Sequence, residues 1–115
     1  MREITCSTIT DAIKKMCIEA ATILPQDVEK ALSQKHDEED SALAQKTLQV
    51  LMDNAKLAQE KQMPICQDTG MAFVYVTMGQ EVHITGGSLN EAIQEGVRQG
   101  YTEGYLRKSV VRIFV

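Results

Sequence analysis

An excess of positive charge is missing from this chain of 115 residues. Twelve Lys and Arg stand against sixteen Asp and Glu, a net charge of −4 with a pI near 5.1. Phosphate binding needs a basic face, so nucleic acid is excluded as the expected partner. A long apolar run is also missing. The longest, Met71 to Val76, is far too short to span a bilayer, so no membrane partner is expected. The N-terminus carries Glu3 and Asp11 and lacks an apolar h-region, unlike a secretory signal. Cysteine is scarce: Cys6, Cys17 and Cys66 are odd in number and irregular in spacing, which fits neither a disulfide framework nor a CxxC zinc site. These absences predict a soluble, reduced, cytoplasmic protein. A chain of this length buries about 65 % of its unfolded surface, enough for one domain over 1–115 and too little for two.

What is present divides into two halves. Ile9, Ile13, Met16, Cys17, Ala20, Ile23 and Leu24 recur at three- and four-residue steps, which predicts an amphipathic helix. Pro25 ends it and suits the first turn of the next helix, where its missing N–H costs nothing. The charge run His36-Asp37-Glu38-Glu39-Asp40 reads as a solvated connection. Leu43, Leu48, Leu51, Met52, Ala55 and Ala58 carry the helical period onward. Beyond Pro64 the period changes. Residues 71–78 (MAFVYVTM) are apolar on both faces, which predicts a strand buried on both sides. Gly79-Gln80 suits a type II′ link to a returning strand over 81–85, giving a β-hairpin. Ser88-Leu89-Asn90-Glu91 is a capping box, and Ala92, Ile93, Val97, Gly100 and Tyr101 form the apolar face of the helix behind it. Gly96, Gly100 and Gly104 recur every four residues, which implies close approach to another element or a weak helix. The predicted class is α+β, with a helical N-terminal half, a hairpin and a capped C-terminal helix.

Reactive groups concentrate in Pro64-Ile65-Cys66-Gln67-Asp68-Thr69-Gly70, between a long helix and the expected strand. Cys66 offers a thiolate, Asp68 a carboxylate, Gln67 an amide and Thr69 a hydroxyl. The residues by themselves favour an ordinary turn with an Asx hydrogen bond and a space-filling Cys, because a lone Cys beside an Asp is a weak signal. Cys17 lies on the apolar stripe and reads as core filler, while Cys6 is either exposed or packed. His36 and His83 lack partners at catalytic spacing and read as surface residues.

The run PICQDTGMAFVYV, followed by SLNEAIQEGVRQGY and LRKSVV, resembles the N-terminal part of class I fumarate hydratases and, equally, the α subunit of L(+)-tartrate dehydratase. That resemblance implies a hydro-lyase acting on a small dicarboxylate, fumarate or tartrate, with a [4Fe-4S] cluster held by three cysteines. Cys66 falls on the first of those ligands. Gln67 and Asp68 fall on substrate-contacting positions, with Asp68 also at a catalytic position. Arg107 falls on an arginine that grips a substrate carboxylate, for which only a guanidinium offers a bidentate fork. The other two cluster cysteines and an Ala-Asp-Pro-like segment are not found; after Val111 the sequence reads Arg112-Ile113-Phe114-Val115. The resemblance therefore implies an N-terminal portion cut after about residue 111, from a homo-oligomer or an α/β subunit assembly. The alternatives are a non-catalytic helical interaction module and a redox sensor at Cys66.

Overall fold

The computed structural model describes residues 1–66 and 71–109. Its elements are β1 (Arg2–Thr5), α1 (Cys6–Thr22), α2 (Gln26–Glu38), α3 (Ala42–Lys61), β2 (Val82–Thr85) and α4 (Leu89–Glu103). The α+β class holds. The chain forms two compact units, Met1–Glu19 with Asp68–Val115, and Ala20–Gln67.

In the first unit two strand–helix pairs lie side by side. β1 and β2 are parallel, with Arg2 opposite Val82 and Thr5 opposite Thr85. Each strand runs straight into a helix, β1 into α1 and β2 through Gly86 and Gly87 into α4. At that second junction φ is +87° at Gly86 and +148° at Gly87, angles that L side chains rarely adopt. Ser88 caps α4 by accepting the Glu91 N–H at 3.1 Å, the forward half of the expected capping box.

Glycine decides how α4 meets α1. A Cβ built at Gly96 would lie 2.6 Å from the Ile13 Cβ and 2.7 Å from the Thr10 carbonyl oxygen. At Gly100 it would lie 2.9 Å from the Cys17 Cβ. The close-approach reading of these glycines is the right one. Contacts climb together along both helices, from Ala92 with Thr10 to Gly104 with Ile18, so the helices run in the same direction, as their parallel strands require. Thr10 Oγ1 donates to the Ala92 carbonyl at 2.9 Å, and Lys14 pairs with Glu103 at 2.6 Å. Ile13, Ala92 and Leu106 are buried here.

The expected hairpin does not form. Residues 71–78 lie outside any strand or helix, and none of them makes a hydrogen bond within the described residues. β2 pairs with β1 instead, at the far end of the sequence. Gly79 does not adopt the positive φ that the first central residue of a type II′ turn requires; it accepts the Val82 N–H as the first residue of an ordinary turn. Sequence period reports how apolar a strand's faces are, but the partner is set by tertiary packing.

The second unit is helical. Pro25 precedes α2, whose first turn holds Asp27 and Glu29, favourable at a helix N-terminus. Ser41 caps α3 by accepting the Ala44 N–H at 3.3 Å, and Gln45 Nε2 donates to the His36 carbonyl at 3.1 Å, tying α3 to the end of α2. Ala55 and Ala58 are buried, whereas Leu43 and Leu51 on the same expected stripe are exposed. α3 ends at Gln62 in the left-handed region (φ 53°), with the Met63 N–H reaching back to the Ala58 carbonyl.

Candidate functional site

The segment after α3 is fixed by two consecutive backbone amides, both within the second unit. The carbonyl of Ala21, in the last turn of α1, would ordinarily accept the N–H four residues on. That residue is Pro25, which has none. The carbonyl accepts the Ile65 N–H instead, at 2.8 Å. The next amide, of Cys66, donates to Asn54 Oδ1 of α3, also at 2.8 Å. Cys66 itself is exposed and free of any disulfide.

The other cysteines differ from it. Cys17 is half-buried against the Gly100 position, and desolvation pushes its thiol pKa up, away from the thiolate form. That matches core filler. Cys6, left open from the sequence, is half-buried, and its Sγ lies 3.7 Å from the Ser88 carbonyl oxygen. His83 is exposed, and His36 Nδ1 lies 3.1 Å from Asp37 Oδ1 in the last turn of α2, which runs through Glu38 and leaves only Glu39 and Asp40 of the expected connection outside the helix.

Arg107 lies in the first unit, just past α4. It is exposed and has no acidic partner among the described residues. It lines a cavity of about 630 Å³ together with Met71, Val74, Ile93, Val97 and Lys108. The walls are mainly apolar and the cations Arg98, Arg107 and Lys108 all belong to its lining. Arg98 is already engaged: its Nε donates to Glu95 Oε2 at 2.8 Å. Arg107 and Lys108 are therefore the lining cations with no acidic partner among the described residues. Tyr101 also lines the cavity, and burial, with a smaller push from the neighbouring Cys17, raises its phenol pKa so that it stays a neutral hydroxyl.

Of the four residues expected at the site, Cys66 falls in one unit and Arg107 in the other. Gln67 and Asp68 lie outside the described residues. Among the described residues no three His, Cys, Asp or Glu side chains gather into a metal-binding group, so Cys66 offers a single thiolate. An iron–sulfur cluster needs several, and the described residues do not hold one by themselves. Sequence reasoning passed over Asn54. Its one signal was an Asn, a weak helix former, placed deep inside a long helix. No described helix is long and apolar enough to cross a membrane.

Comparison with known proteins adds what this geometry cannot. The profile of the fumarate hydratase (Fumerase) family matches residues 10–114. A protein of Methanocaldococcus jannaschii named for the L(+)-tartrate dehydratase alpha subunit is 36 % identical over 104 residues, covering 90 % of this chain and 36 % of that protein. One of Geobacillus stearothermophilus, named for class I fumarate hydratase, is 31 % identical over 102 residues, 88 % of this chain and 20 % of its own length. The L(+)-tartrate dehydratase alpha subunit of Escherichia coli K12 is 27 % identical over 106 residues, 92 % of this chain and 35 % of that subunit. The chain thus spans about a third or less of these relatives. With nearly its whole length inside the matched region, the chain belongs to the fumarate hydratase (Fumerase) family.

Proposed function

We propose that this chain forms the N-terminal part of an iron–sulfur hydro-lyase that adds water to, or removes it from, a four-carbon dicarboxylic acid. The reaction is hydration of fumarate to L-malate or dehydration of L-tartrate to oxaloacetate. Family membership supports the reaction class, and the single geometric observation behind it is Arg107, a guanidinium that lines a cavity and has no acidic partner among the described residues. A dicarboxylate brings two negative groups, and a guanidinium holds a carboxylate at two points where an ammonium holds it at one. Cys66 supplies one thiolate ligand of a [4Fe-4S] cluster, with further ligands in the part of the relatives that this chain does not span. Gln67 and Asp68 contact the substrate, Asp68 with a catalytic role. The assembly is oligomeric, of like chains or with a β subunit, in a thiol-reducing cytoplasm.

The reading is tested by supplying the unmatched portion of the M. jannaschii relative in the same cell. The pair is purified without oxygen and assayed for iron, sulfide and turnover of fumarate and tartrate. The expected result is a cluster and activity in the pair. Cys66→Ser should lose both. Arg107→Lys should keep its iron while kcat/KM falls by an order of magnitude or more. A full cluster retained in Cys66→Ser would overturn the assignment of the ligand.

A further inference from the structure

We propose that Asn54 is a positioning residue: it anchors the backbone amide of Cys66 and so fixes the place from which the exposed thiol is presented. The inference rests on Cys66 being the iron-binding thiolate.

A metal ligand must sit within a few tenths of an ångström of its productive place, which an untethered loop does not ensure. Here two adjacent amides are tethered by different elements of one unit. Pro25 frees the Ala21 carbonyl to take the Ile65 N–H, and Asn54 Oδ1 takes the Cys66 N–H. The second tether comes from a side chain, so selection can set it without altering the helix. α3 can bear that role because Ala55 and Ala58, directly beside and one turn beyond Asn54, are buried and hold the helix in place. With both amides fixed, the planar peptide between them holds the Cys66 Cα in place, and only φ and χ1 of Cys66 remain to aim its thiol. An Asn inside a helix, poorly suited to the helix itself, thereby gains a reason to be there.

The direct measurement is amide hydrogen exchange in the whole chain, comparing the parent with Asn54→Leu and Asn54→Asp. Leu removes the acceptor; Asp keeps an acceptor oxygen at the same place. Asn54→Leu should speed exchange of the Cys66 amide at least tenfold while the amides of Ala55 and Ala58 keep their rates, and Asn54→Asp should restore protection. A second readout follows the thiol itself. A nitroxide on Cys66, in a Cys6→Ser/Cys17→Ala background, should lose its immobilised spectral component in Asn54→Leu and regain it in Asn54→Asp. Unchanged exchange at Cys66 in Asn54→Leu would overturn the proposal. So would equal acceleration along all of α3, or Asn54→Asp behaving like Asn54→Leu, because each makes Asn54 an ordinary stability residue. Neither readout involves iron, so failure of the cluster assignment and failure of the tether are told apart.

Discussion

Two apolar stretches of the first unit meet opposite fates. The seam between α1 and α4 is built from modest residues, Thr10, Ile13, Cys17, Ala92, Gly96 and Gly100, yet it is packed to backbone contact. Residues 71–78 are far more hydrophobic, yet Phe73 is 74 % exposed and Tyr75 92 %. Hydropathy alone would rank them the other way. What separates them is a partner of matching shape: missing side chains on α4 let α1 approach, whereas residues 71–78 pair with no strand among the described residues. Burial follows complementarity, and an apolar run without it stays an adhesive surface.

The sharpest way to break this contrast is to add one methyl group to each side of it. Gly96→Ala places a Cβ where Ile13 and the Thr10 carbonyl already stand, and the backbone must move. Overpacking of that kind costs roughly 1–3 kcal/mol, more than the ~1 kcal/mol that Ala gains over Gly in a helix. Gly79→Ala, beside the exposed segment, meets nothing closer than 3.9 Å and should change stability by no more than about 0.5 kcal/mol. Urea unfolding monitored by circular dichroism checks both. Equal midpoints for the two variants would mean that the seam gives more easily than its distances allow.

Much of this contrast could be read in advance, and the part that could not has a physical cause. The fourfold spacing of Gly96, Gly100 and Gly104, the cap at Ser88 and the break at Pro25 are local signals, and each appears where expected. Pairing of β1 with β2 joins residues about eighty positions apart, which no local period encodes. Nor does any pattern announce that Pro25 frees a carbonyl for Ile65, or that Asn54 waits for the next amide. For the candidate site the motifs single out Cys66 and Arg107 as expectations and say nothing of what surrounds them. Their surroundings come from contacts between distant segments.

A middle-sized effect should appear in solution behaviour. Phe73 and Tyr75 add aromatic area to the exposed segment, and its backbone N–H and C=O groups find no partner among the described residues. Both favour association with another chain. The chain is expected to self-associate with rising concentration in sedimentation velocity, and Phe73→Lys/Tyr75→Lys should return it to monomer with its unfolding midpoint unchanged. A parent that stays monomeric over a wide concentration range would remove the adhesive surface from the comparison.

The smallest effect lies on the solvent side of α4, where packing plays no part. Arg98 Nε donates to Glu95 Oε2, Gln99 Nε2 donates to Glu95 Oε1 at 2.9 Å, and the Glu95 pKa falls from 4.5 to about 2, chiefly through the Arg98 hydrogen bond. The folded chain thus holds the charged carboxylate more firmly than the unfolded one. The resulting stabilisation is complete above the unfolded value of 4.5 and is lost as the pH falls through about 2. Because the pair is exposed, solvent and salt screen it, and its share of stability is slight. The titration is the better readout. Carboxyl carbon shifts should show Glu95 titrating near 2 in the parent and moving back toward 4.5 in Arg98→Gln, with the parent value also rising in molar salt. Arg98→Gln should leave the urea midpoint almost where it was, unlike Gly96→Ala on the buried side of the same helix. A Glu95 midpoint indifferent to Arg98 would assign the shift to Gln99 and detach it from the cation lining the cavity.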